Sequence, residues 1–193
     1  KRRLAIAAVM AGGKLARLAA KHKIPYVEMP DLHIQPRISV GMMLKATLAL
    51  MGEKAMLAEA AFLAKTLNPP RYEHSGKHLA KSLYGSVPVI YSSLRNFPIA
   101  RNWKIRFNES GKIPAFCHFF PELNHNEMTG FDFKEQTSPL SKRFHFVFLK
   151  DKDDNPRIMK RMNVMEKVLG DRGFKVEIVM LHGPTEFYKI FSA

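Results

Sequence analysis

Six short apolar runs punctuate this chain: LAIAAVM (4–10), IPYVEMP (24–30), VPVIYSS (87–93), IPAFCHFF (113–120), FHFVFLKD (144–151) and KVEIVMLH (175–182). Stretches with helical spacing separate most of them, among them KLARLAAKHK and PRIMKRMNVMEKVLG. This alternation constrains the fold more than any other feature. Runs that are apolar at nearly every position suit strands covered on both faces, and a strand that returns through a helix pairs in parallel. The expected class is therefore α/β: a three-layer sandwich with a parallel sheet between helices. Ligands of such sheets gather at the carboxyl ends of the strands.

Residues 4–30 read as a strand, helix, strand crossover, with Ala11-Gly12-Gly13-Lys14 at the first turn. Two glycines there let the backbone approach an anion or pack closely, but the glycine fingerprint of nucleotide-binding folds is absent. Residues 38–67 predict two helices broken near Gly52, and Asn68-Pro69-Pro70 predicts the end of the second. The polar stretch RYEHSGKH (71–78) is then read as a linker, followed by helices at about 77–84 and 99–107. The domain reading places 1–52 in an incomplete first domain, 53–76 in a helical connection and linker, and 77–193 in a second domain. Both ends of the chain are expected to be truncated.

Composition narrows the function. Lys45, Glu53, Lys54, Glu59 and Lys65 interrupt the longest helical region, so it cannot cross a bilayer. The single cysteine, Cys117, fits an inert core thiol and a reducing, cytoplasmic setting. The net charge is +14, but the basic residues in KRR, SKRF and RIMKR are dispersed, without the stripe or motif of a nucleic-acid binder. Such a field also draws small anionic substrates such as a sugar phosphate.

One segment carries candidate chemistry. In FNESGKIPAFCHFFPELNHNE (107–127), Glu109 precedes the apolar run and His125 follows it. The expectation is a carboxylate and an imidazole brought to one cleft by the loops of a parallel sheet, a common arrangement for moving protons on a small substrate. Ser92 and Ser93 close the run VPVIYSS, where hydroxyls either line a pocket or support a helix start.

At QPR (35–37), LAKSLYGSVPVIYSS (79–93), WKIRFNESGK (103–112) and PELNHNE (121–127), the chain resembles the bifunctional phosphoglucose/phosphomannose isomerases, a family of sugar isomerase (SIS) domain proteins. The resemblance implies tandem flavodoxin-like SIS domains, a homodimer with a shared active site, and aldose–ketose isomerisation of glucose 6-phosphate and mannose 6-phosphate to fructose 6-phosphate. It implies no metal or cofactor, no membrane and no nucleic acid. It also implies Glu109 as the base, His125 as the ring-opening histidine supplied by the other subunit, and Arg37 as a substrate-binding residue beside the enediolate; Ser92 and Ser93 are substrate-binding candidates from their place at the strand end alone. A non-catalytic sugar-phosphate-binding SIS domain is the alternative.

Departures from the family pattern accompany the resemblance. Its hydroxyl-rich phosphate loop and its late lysine have no counterpart here, Met10-Ala11 precedes Gly-Gly where relatives carry hydroxyls, and Asn102 stands where arginine is common. The 193-residue chain alone is expected to fold without isomerising.

Overall fold

The computed structural model describes residues 4–132 and 134–193, so the opening KRR lies outside the described residues. The chain divides into two compact units, Lys1–Leu67 and Asn68–Ala193.

In the first unit, β1 (Ala8–Met10) and β2 (Tyr26–Glu28) pair in parallel across α1 (Gly13–Lys21). The crossover follows the sequence expectation with a shorter first strand. Gly12 takes a φ of 106°, and a Cβ there would stand 3.1 Å from Glu28 Oε1, so the turn into α1 suits glycine on both conformational and steric grounds. A 3-10 turn, Pro36–Ile38, precedes α2 (Val40–Met51) and α3 (Lys54–Thr66). Gly52, in the left-handed region with φ 75°, caps α2 and makes the expected break.

The second unit opens with α4 (Pro70–Ser82), which corrects the linker reading of residues 71–78. Pro69 is the N-cap and Pro70 the first helical residue, where a missing N–H leaves no hydrogen bond unmade. The proline pair thus starts a helix. At its end Leu79 and Leu83 pack toward the sheet, so α4 belongs to the domain that the linker was expected to precede.

The sheet of this unit holds β3 (Val87–Ser93), β4 (Phe116–Phe120), β5 (Phe144–Asp151) and β6 (Lys175–Leu181), ordered β4-β3-β5-β6 and parallel throughout. The connections are α5 (Phe97–Glu109) before β4, α6 (Ser138–Ser141) before β5 and α7 (Pro156–Asp171) before β6, with α8 (Glu186–Ser192) last. Alternate strand positions point to opposite faces. Val89, Tyr91, Phe146 and Phe148 meet Met162, Met165 and Leu169 of α7 on one face, while Ile90, Val147 and Leu149 meet Ile99 and Ala100 of α5 on the other. Both faces are covered, as the continuous apolar runs require. Asn155 starts α7 by accepting the Arg157 backbone N–H at 2.9 Å.

Candidate active site

β4 lies at one edge of the sheet, and the two residues singled out by the sequence stand at its two ends. α5 runs back from the carboxyl end of β3, packs on β3 and β4, and finishes at Glu109 beside the start of β4. The turn that follows is tightly tied: the Asn108 side-chain amide donates to the Ile113 carbonyl at 2.9 Å, and the Ile113 N–H donates to the Phe107 carbonyl at 3.3 Å. Gly111 is needed there, because a Cβ would stand 2.9 Å from the Phe107 carbonyl oxygen.

His125 follows β4 on a 3-10 turn, Glu122–Asn124, and its backbone N–H donates to the Glu122 carbonyl at 2.9 Å. The turn is anchored by Leu123, fully buried against Tyr91 and Phe120. Two residues beyond His125, Glu127 accepts the Tyr91 hydroxyl at 2.6 Å, and its second carboxylate oxygen lies 3.9 Å from His118 Nε2. Burial and then the Glu127 hydrogen bond keep Tyr91 protonated far above the usual phenol range.

Glu109 therefore sits at the amino edge of the sheet and His125 at the carboxyl edge. At about 3.3 Å per residue, β4 alone holds its ends roughly 13 Å apart. The expectation that the loops of one sheet bring both residues to one cleft is corrected: within a single chain a strand separates them.

Arg37 lies in the first unit, in the turn Pro36–Ile38, with Nη1 3.5 Å from the Gln35 side-chain oxygen. Ser92 and Ser93 are buried at the end of β3. The Ser92 hydroxyl donates to the Ser93 carbonyl at 3.0 Å. The Ser93 hydroxyl donates to Asp154 Oδ1 at 2.6 Å and accepts the Asn96 backbone N–H at 3.2 Å. These hydroxyls support the carboxyl edge from inside.

Beside them lies an ion-pair cluster that sequence reading missed. Lys189 on α8 places its ammonium 3.0 Å from Asp151 Oδ2 and 2.6 Å from Asp153 Oδ2, with Lys189 and Asp151 both buried. Burial opposes the charge on Lys189, yet the hydrogen bonds to Asp153 and Asp151 outweigh it and raise its pKa. Burial likewise opposes ionisation of Asp151, but the Asp153 backbone N–H, Lys189 and Asn96 hold its carboxyl below the usual value. Asp154, without a lysine of its own, is raised by burial against the Ser93 hydrogen bond. Among the described residues no cluster of three or more His, Cys, Asp or Glu side chains is placed to hold a metal ion.

A second feature escaped the sequence reading. Arg157, Lys160 and Arg161 of the RIMKR segment, spaced to share one helix face, line an open cleft of about 410 Å³ with Asn124 and Met128. Arg161 Nη1 lies 3.5 Å from the Asn124 side-chain oxygen, next to His125. The dispersed charges of the sequence are here gathered beside a candidate catalytic residue.

Residues 73–193 match the family model described as the bacterial phospho-glucose isomerase C-terminal SIS domain. The chain belongs to this family. The match spans Glu109, His125 and the whole four-stranded sheet. Among curated proteins, the bifunctional phosphoglucose/phosphomannose isomerase of Aquifex aeolicus is 34% identical over 181 residues, covering 93% of this chain and 54% of the relative. The protein of the same name from Thermoplasma volcanium is 29% identical over 198 residues, covering 99% of this chain and 59% of the relative. The chain thus spans a little over half the length of the curated relatives it matches.

Solved structures show the same fold at much lower identity. A putative sugar binding protein from Salmonella typhimurium LT2 superimposes with a TM-score of 0.58 at 12% identity, over 96% of this chain and 69% of the other. Glucosamine-6-phosphate deaminase from Thermotoga maritima gives 0.59 at 14%, over 96% and 56%. At these identities the likeness establishes the SIS-type α/β fold alone.

Proposed function

We propose that this chain is part of an aldose–ketose isomerase that interconverts glucose 6-phosphate and mannose 6-phosphate with fructose 6-phosphate. The supporting observation is that the segment matching the isomerase family carries Glu109 and His125 at opposite ends of β4. Glu109 takes the proton from C2 of the open-chain aldose, the C2–H electron pair forms a C1–C2 double bond, and the C1 carbonyl oxygen becomes anionic. The C2 hydroxyl proton passes to the anionic C1 oxygen, and return of the carbon-bound proton from Glu109 to C1 as the C2 carbonyl forms gives the ketose. Glucose and mannose 6-phosphates differ only in configuration at C2, which the enediolate erases, so one base serves both.

Arg37 binds substrate and steadies the enediolate charge. His125 of a second copy assists ring opening, because its own chain carries it to the edge opposite Glu109. The buried serines Ser92 and Ser93 enter this reading as supports of the carboxyl edge rather than as sugar contacts. The net charge of +14 favours capture of a dianionic substrate.

The test is conversion of glucose 6-phosphate and mannose 6-phosphate by protein expressed from its complete reading frame. Turnover of both at an enzymatic rate, about 1–10³ per second, supports the reading. Saturable binding of fructose 6-phosphate without conversion of either aldose contradicts it.

A further inference from the structure

His125 stands on a short loop between the 3-10 turn Glu122–Asn124 and a second such turn, Glu127–Phe131. A loop this short takes its position from whatever grips it on either side. On one side Leu123 is sealed in the core against Tyr91 and Phe120. On the other, Glu127 is the polar grip: it accepts the hydroxyl of fully buried Tyr91 at 2.6 Å and faces His118 Nε2 at 3.9 Å.

Tyr91 and His118 are paired residues of adjacent strands, so the hydrogen bond from Tyr91 ties the loop carboxylate to the sheet. Tyr91 is itself fixed by ring contacts, with Phe120 at 6.1 Å, Phe146 at 5.6 Å and Phe148 at 5.7 Å between centroids. Such ring pairs resist displacement. A hydrogen bond from a neutral phenol to a carboxylate is charge-assisted and short, and it fixes distance and direction better than apolar packing does.

We propose that Glu127, held by Tyr91, is a positioning residue for His125. This rests on the proposed reading of His125 as the residue that assists ring opening. Glu127 and Tyr91 contribute no proton to the sugar. Their role is to keep the imidazole within the small error that proton transfer tolerates, since a displacement of about 1 Å can cost roughly 10²-fold in rate.

The variant that tests this is Tyr91→Phe, which removes one oxygen and leaves the ring packing in place. In full-reading-frame protein with wild-type His125, Y91F should lower kcat for glucose 6-phosphate by about tenfold or more, with KM changed by less than about twofold. Glu127→Gln, whose amide oxygen still accepts the Tyr91 hydroxyl, should retain most of the rate. In a His125→Ala background Y91F should cause no further loss, because there is no imidazole left to position.

An equal fall of kcat in both backgrounds would assign Tyr91 a general structural role and overturn the proposal, as would wild-type turnover in Y91F. The reading of His125 itself is checked separately by H125A alone. An undiminished kcat in that variant removes His125 from the mechanism and the proposal with it, whereas a large loss in H125A with none in Y91F overturns the positioning role alone.

Discussion

Glu109 ends α5 at the amino edge of the sheet and His125 begins beyond β4 at the carboxyl edge, so the edge strand Phe116–Phe120 stands between the two residues. This placement has a direct chemical consequence. In the proposed reading, the base and the ring-opening histidine of one site then come from two copies of the chain.

Replacing Glu109 by glutamine keeps the shape of the side chain and removes its ability to accept the C2 proton. Turnover is expected to fall by about 10²-fold or more, with substrate affinity nearly unchanged. The measurement is incorporation of solvent hydrogen into fructose 6-phosphate alongside kcat and KM. Exchange at the wild-type rate in the variant would exclude Glu109 as the base.

Lys189 joins the last helix to the end of β5 through buried Asp151. Lys189→Met removes the cation and leaves that carboxylate uncompensated. The expected loss is about 3 kcal/mol, the low end for breaking a buried pair, because Asp153 beside it is open to water. Urea denaturation of wild type and variant reads this directly. A change below about 1 kcal/mol would show that α8 is not held by this pair.

His145 is buried in β5, and its Nε2 lies 3.7 Å from Glu177. Burial lowers its pKa below the ordinary 6.5 against the pull of Glu177, with Lys175 adding to the lowering. The native state then binds fewer protons than the unfolded chain. Stability is full above about pH 6.5, falls as pH drops through that value, and levels off below the folded pKa. His145→Leu should flatten the dependence of the unfolding midpoint on pH between about 7 and 5. An unchanged slope would mean that other groups set it.

The sheet was legible because each strand, covered on both faces, leaves an unbroken apolar run, as at Phe144–Asp151. The edges of the elements were harder to read. Pro69-Pro70 signals both the end of one helix and the start of another, and the packing of Leu79 and Leu83 against the sheet is what marks the start. Glu109 and His125 were found from residue type and order, but a strand between two residues separates them by its own length, and that arithmetic was available from the sequence. The Ser93–Asp154 and Lys189–Asp151 bonds join segments 61 and 38 residues apart, and no local pattern announces such partners. The basic residues of RIMKR read as dispersed in the sequence, and only the cleft beside Asn124 shows Arg157, Lys160 and Arg161 gathered together.

The most direct measurement is subunit complementation between Glu109→Gln and His125→Ala, each prepared from the complete reading frame. If one copy supplies the base and its partner supplies the histidine, a mixed dimer contains one intact site and one doubly defective site. Mixing equal amounts of the two inactive proteins under exchange conditions should then restore about a quarter of wild-type glucose 6-phosphate isomerase activity, since half of the dimers are mixed and each keeps one of two sites. Mixed dimers demonstrated by differential tagging that show no activity above the two parents would contradict the account.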